Sequence, residues 1–132
     1  MKPVNKPLVI FSVFQASKED SYNKLAHENT KRMLSDIGAN YIEALGVYKG
    51  SKELSLVIDA EFEGIAAMLA FEFKQESYLY LDSDRNAYFV SDNGSGTYVN
   101  QTFAGIFKAV PDNYNGDHTQ NLLTGLKYAI LK

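Results

Sequence analysis

Stretches of helical spacing, set among runs of strand spacing, constrain this chain more than any other feature. The run Leu8-Val9-Ile10-Phe11-Ser12-Val13-Phe14 is rich in β-branched and aromatic residues and too nearly continuous for a half-wet edge, so it predicts a central strand. Ser17 then precedes Lys18-Glu19-Asp20, an acidic first turn suited to a helix N-terminus. Tyr22, Leu25, Met33, Leu34 and Ile37 follow at helical spacing, with Asn29 interrupting the face and Gly38 as a natural stop. Tyr41 to Tyr48 and Glu53 to Ile58 predict two strands joined around Gly50-Ser51. Asp59 can cap a second helix, in which Phe62, Ala66, Leu69 and Phe73 form an i, i+4, i+7, i+11 stripe beside Ile65 and Met68. Ser77 to Leu81 alternates Tyr78 and Tyr80 against Leu79 and Leu81, the pattern of a fourth strand.

The order β-α-β-β-α-β predicts an α+β, ferredoxin-like antiparallel sheet with two helices on one face. Ala87 to Val90 and Thr97 to Phe107, linked by Ser91-Asp92-Asn93-Gly94-Ser95-Gly96, add a C-terminal hairpin. After the loop Val110 to Asp117, Leu122, Leu123, Leu126 and Ile130 have the spacing of a short final helix over Asn121 to Lys132. No repeat, low-complexity tract or linker breaks the chain, so residues 1–132 read as one domain. One sheet face is left without cover, and nine tyrosines and eight phenylalanines supply aromatic surface for it. A cyclic homo-oligomer is the structural expectation.

Composition removes several functions. With a formal net charge of -3 and a pI near 5.3 there is no basic field for a phosphate backbone, which argues against nucleic-acid binding and suits a small cationic ligand. The absence of cysteine excludes a disulfide framework, a thiolate nucleophile and a zinc ribbon, and points to a reducing cytoplasm. The N-terminal residues have neither the pattern of a signal peptide nor the length of a membrane span. His27 and His118 stand apart, with no second histidine at i+3 or i+4, and read as surface or loop residues with no metal site. Neither a Walker loop nor a Gly-x-Ser-x-Gly elbow is present, and Asn93-Gly94-Ser95-Gly96 lies between strands, as a hairpin turn does.

What remains is a polar set at strand ends: Tyr48, Glu53 and the pair Gln75-Glu76. A carboxylate at the mouth of an apolar strand can hold a cation, because low-dielectric walls strengthen its field. The same residues have plainer readings. Glu53 is then a solvated carboxylate near Lys52, Tyr48 a packing aromatic, and Glu76 a charge in a helix-to-strand connection.

Ser12-Val13-Phe14, Arg32 to Ile37, Gly46-Val47-Tyr48, Glu53 to Ile58, Glu72 to Gln75 and Phe107 to Pro111 resemble, in that order, the phage enzymes that cleave S-adenosylmethionine, once called hydrolases and now lyases. The resemblance spans about residues 8 to 111, with a shorter connection between Tyr48 and Glu53 than the family has. It implies a trimer of ferredoxin-like subunits with substrate bound between neighbours. It further implies Glu53 as the key active-site glutamate, Tyr48 as the active-site tyrosine, and Gln75 and Glu76 as substrate contacts. No cofactor is implied. The implied products are methylthioadenosine and homoserine lactone, and the implied role is anti-restriction in the cytoplasm of a phage-infected host. A non-catalytic nucleotide-binding protein and an inhibitor of a host defence protein stand as alternatives.

Overall fold

The computed structural model describes residues 5–132. Its strands are β1 (Leu8–Phe11), β2 (Tyr41–Tyr48), β3 (Ser51–Asp59), β4 (Ser77–Leu81), β5 (Asn86–Asp92), β6 (Tyr98–Val110), β7 (His118–Asn121) and β8 (Lys127–Leu131). The helices are α1 (Asp20–Asp36) and α2 (Glu63–Glu72). The strands pair in the order β1-β3-β2-β7-β8-β6-β5-β4 and back to β1, a closed antiparallel barrel. This overturns the ferredoxin-like expectation. The strands β4-β1-β3-β2 do lie side by side, yet they form no open sheet, because β7 pairs with the outer edge of β2 and β5 with that of β4. The hairpin β5-β6 is therefore part of the wall.

The expected final helix is also absent. Asn121 Oδ1 accepts hydrogen bonds from the backbone N–H groups of Leu123 and Thr124, and Gly125 takes φ +78°, which together fold these residues into the β7-β8 turn. Leu123 is 82% exposed, so the leucines at helical spacing have no common buried face.

Closure explains the near-continuous apolar run in β1, since both of its faces are covered. On the outer face Val9 and Phe11 join Leu56, Ile58, Tyr78 and Val90 under Leu34 of α1 and Ala66, Leu69 and Ala70 of α2. On the inner face Ile10 meets Leu79, Leu81 and Ala87, with Val57, Phe107 and Ile130 packed against them in the lumen. The stripe Phe62, Ala66, Leu69 and Phe73 does face the core, but Asp59 makes no side-chain cap and a 3-10 turn, Ala60–Phe62, precedes α2. The Tyr78 hydroxyl donates to Glu63 in the first turn of α2, at 2.7 Å, and burial among apolar neighbours raises its pKa.

Helix α1 departs from expectation in which face it buries. Its inward residues are Asn23, His27, Thr30 and Leu34, while Tyr22, Leu25 and Ile37 project outward. The polar atoms of these inward residues find partners, except Nδ1 of His27, which is buried without one. Asn23 exchanges hydrogen bonds with the backbone of Gln15, and Thr30 donates to the carbonyl of Ala26. His27, expected at the surface, is 1% exposed and donates its Nε2–H to Glu43 of β2 at 3.1 Å. Lys31 reaches the other oxygen of the same carboxylate at 2.7 Å.

Candidate active site

Strand polarity gathers the four singled-out residues at one end of the barrel. Because β1 runs antiparallel to both β3 and β4, the starts of β3 and β4 lie together where β1 finishes. The ends of β2 and β5 and the start of β7 lie at this same mouth. Ile10 is level with Val57 on one side and Leu79 on the other, and carrying that register to the mouth brings Phe14, Glu53 and Gln75 level. Gln75 Nε2 accordingly donates to the carbonyls of Phe14 and Phe73. That amide nitrogen is committed to the chain, leaving Oε1 as the atom of Gln75 that can face a ligand.

The connection before Gln75 is a Schellman motif. Lys74 takes φ +55°, the N–H of Gln75 reaches the carbonyl of Ala70, and that of Lys74 reaches Phe71. Tyr98 closes the arrangement by donating its hydroxyl hydrogen to the carbonyl of Gln75. Glu76 follows and is exposed.

Glu53 is half-buried in β3, and its register partner in β2 is Gly46. Alternation along β3 puts Glu53 and Ser55 on the same side as Val57, which packs in the lumen. Glu43, on the opposite face of β2, is paired with Lys31 and accepts a hydrogen bond from His27, and these hydrogen bonds hold its carboxyl below the usual range. Glu53, by contrast, has no ion-pair partner among the described residues. Its charge therefore remains available to a ligand at the mouth.

Tyr48 closes β2 opposite Ser51, with Lys49 at φ +49° and Gly50 at φ +82° forming the two-residue turn. The backbone N–H of Lys49 donates to Asp117 at 2.8 Å, which ties this turn to the segment entering β7. Tyr48 shares the lumen-side register of Glu53 as its diagonal neighbour, a placement that separates the two by about 7–8 Å. It is 61% exposed, and the Lys49 ammonium stands 5.4 Å from its ring centroid. The ring face is thus already used by a cation.

Register also shows what sequence reading missed. The row through Glu53 and Gly46 continues to Thr119 of β7 and then Tyr128 of β8. Tyr128 stacks on Phe107 at 5.3 Å, which fixes its ring on the lumen side. No spacing along the chain links these four positions, since they come from four strands. The Asn93–Gly96 segment is a hairpin turn, with Asp92 Oδ1 accepting the N–H groups of Gly94 and Gly96.

Grooves of about 320 and 350 Å³ lie elsewhere, one between α1 and α2, where Tyr22, Leu25, Asn29, Met33, Glu72 and Phe73 are among the lining residues, and one beside Gly38 at the end of α1. None of the four mouth residues lines either groove. Among the described residues no group of three or more His, Asp or Glu is placed to hold a metal ion, and no helix is long and apolar enough to cross a membrane.

No curated protein matches the chain at significant similarity. The model of the S-Adenosylmethionine lyase family matches residues 9–129, from β1 into β8. A match over that share of the sequence means that the chain belongs to the S-adenosylmethionine lyase family.

Proposed function

We propose that the protein cleaves S-adenosylmethionine to methylthioadenosine and homoserine lactone, with Glu53 and Tyr48 at the reacting end and Gln75 and Glu76 on the adenosine. The observation that carries this reading is the family match across residues 9–129. Convergence of the four residues on one barrel mouth supports it, as does the unpaired charge of Glu53.

The substrate supplies most of the reactivity. A carboxylate oxygen of its methionine part attacks the γ-carbon, the bond from that carbon to sulfur breaks, and the electron pair neutralises the sulfonium as a thioether. No proton moves, so the protein needs no strong base. Its task is to fold the methionine part into attack geometry and strip water from the carboxylate, and such positioning contributes up to about 7–11 kcal/mol in well-oriented intramolecular reactions. Glu53 accepts hydrogen bonds from the substrate ammonium and offsets the ligand's positive charge. Tyr48 offers the sulfonium the ring face that Lys49 now occupies. Gln75 Oε1 and Glu76 accept from the adenine amino group and ribose hydroxyls.

The site is completed in a homotrimer, whose contacts draw on exposed apolar residues such as Phe71, Val99 and Phe103. Depletion of S-adenosylmethionine would starve the methyltransferases of a restricting host, which is the anti-restriction role.

Incubation of purified protein with S-adenosylmethionine, followed by chromatography with mass detection, tests the reaction. Methylthioadenosine appearing with homoserine lactone first is the expected result, and homoserine without lactone would replace intramolecular attack by water. Unconsumed S-adenosylmethionine would sink the proposal. Glu53→Gln should lower turnover at least about a hundredfold, the loss of two to three kcal/mol expected when a charge-assisted contact is removed, with an unchanged circular dichroism spectrum. An undiminished rate would remove Glu53 from the mechanism.

A further inference from the structure

Gly46 has no reason of its own to be glycine. It lies within β2, outside the positive-φ residues, and a Cβ built on it would meet only the carbonyl oxygen of Glu53, at an ordinary 3.6 Å. Glycine inside a strand weakens the strand and forgoes packing, and it marks places where something must approach the backbone closely. The approaching group is not in this chain.

What flanks the gap indicates its chemistry. On one side, in β3, stands the unpaired carboxylate of Glu53, and on the other, in β7, the hydroxyl-bearing Thr119, with Tyr128 of β8 beyond it. All four positions share one face by register. An acceptor of negative charge and a pair of hydroxyl donors thus bracket a bare stretch of backbone. Two strand spacings, about 10 Å, separate β3 from β7, and a third leads to β8, a span that the Glu53 side chain from one side and the longer Tyr128 side chain from the other shorten toward the reach of one amino acid's ammonium and carboxylate.

We propose that Gly46 is the floor of an amino-acid subsite, with the α-ammonium of the ligand on Glu53 and its carboxylate on the hydroxyls of Thr119 and Tyr128. This rests on the lyase reading above and deepens it, because it names the residues that hold the attacking carboxylate. Hydroxyl donors orient that carboxylate without neutralising it, which a lysine or arginine in the same place would do.

Methylthioadenosine lacks the amino-acid group and separates this subsite from the rest of the site. The test measures KM for S-adenosylmethionine from initial rates, and methylthioadenosine affinity by calorimetric titration, in wild type, Gly46→Val, Thr119→Val, Tyr128→Phe and the outward-facing control Lys52→Gln. Thr119→Val and Tyr128→Phe should each raise KM about tenfold or more, the loss of a hydrogen bond to a charged group, and leave methylthioadenosine affinity within about twofold. Gly46→Val should abolish turnover with a native circular dichroism spectrum, and Lys52→Gln should change nothing. An unchanged KM in both hydroxyl variants, or equal losses for the two ligands, overturns the subsite while the lyase reading stands. Wild-type protein without turnover overturns both. If Gly46→Val fails to fold, the two hydroxyl variants decide the matter alone.

Discussion

At the scale of single residues the two glutamates of the β2-β3 hairpin differ in what surrounds their charge. Glu43 and Glu53 sit on adjacent strands but on opposite faces, and of the two only Glu43 has a cationic partner among the described residues, Lys31. The hydrogen bond from Lys31, followed by that from His27, holds the Glu43 carboxyl below its ordinary 4.5. The folded value lies beneath the unfolded one, so the stabilisation is fully present above about pH 4.5 and is lost as pH falls through the lower folded value. Thermal melts should therefore drop below pH 4.5 in wild type and show a flatter acid limb in Glu43→Gln. Because Glu43 is partly open to solvent, that variant should cost only about 1 kcal/mol at neutral pH. Sequence alone placed Glu53 and Tyr48 at a strand end, since a charge or a turn interrupting an apolar run is visible there. It could not show that His27 is buried. Outward Tyr22 and Leu25 carried the helical period, whereas the inward stripe of Asn23, His27 and Thr30 is polar and held by hydrogen bonds.

At the scale of elements, two helices end in the same Schellman geometry with different residues. Gly38 closes α1 at φ +76° and Lys74 closes α2 at φ +55°. A side chain in the left-handed region costs roughly 1 kcal/mol, so Lys74→Gly should stabilise the protein by about that amount and Gly38→Ala should destabilise it similarly. A Cβ on Gly38 would have nothing within 4 Å, so the effect there comes from the backbone. Urea melts of both variants check the opposite signs, and a loss of stability in Lys74→Gly would show that its side chain matters more than its φ. The first four strands and both helices were legible because apolar, β-branched-rich runs mark β1 to β3, alternation marks β4, and a helical period marks α1 and α2. Strand β7 was not, because His118-Thr119-Gln120-Asn121 has no apolar member, and β8 was hidden by leucines that belong to a turn.

At the scale of the whole molecule the feature no local pattern announces is closure. The β2-β7 pairing joins residues 44–47 to 118–121, and without it β2 would be the edge of an open sheet. Protein truncated before His118 should expose the pairing edges of β2 and β6 and aggregate, as size-exclusion chromatography of the purified fragment would show; a soluble, cooperatively melting fragment would mean that the open sheet is stable by itself. Closure also sets the order of events during synthesis. The wall bearing Glu53 and Gly46 emerges from the ribosome well before the strand bearing Thr119, so the barrel mouth stays open on one side until the last strands dock. A premature stop codon upstream of β7 therefore leaves a chain whose barrel cannot close, however much of the wall has already been made.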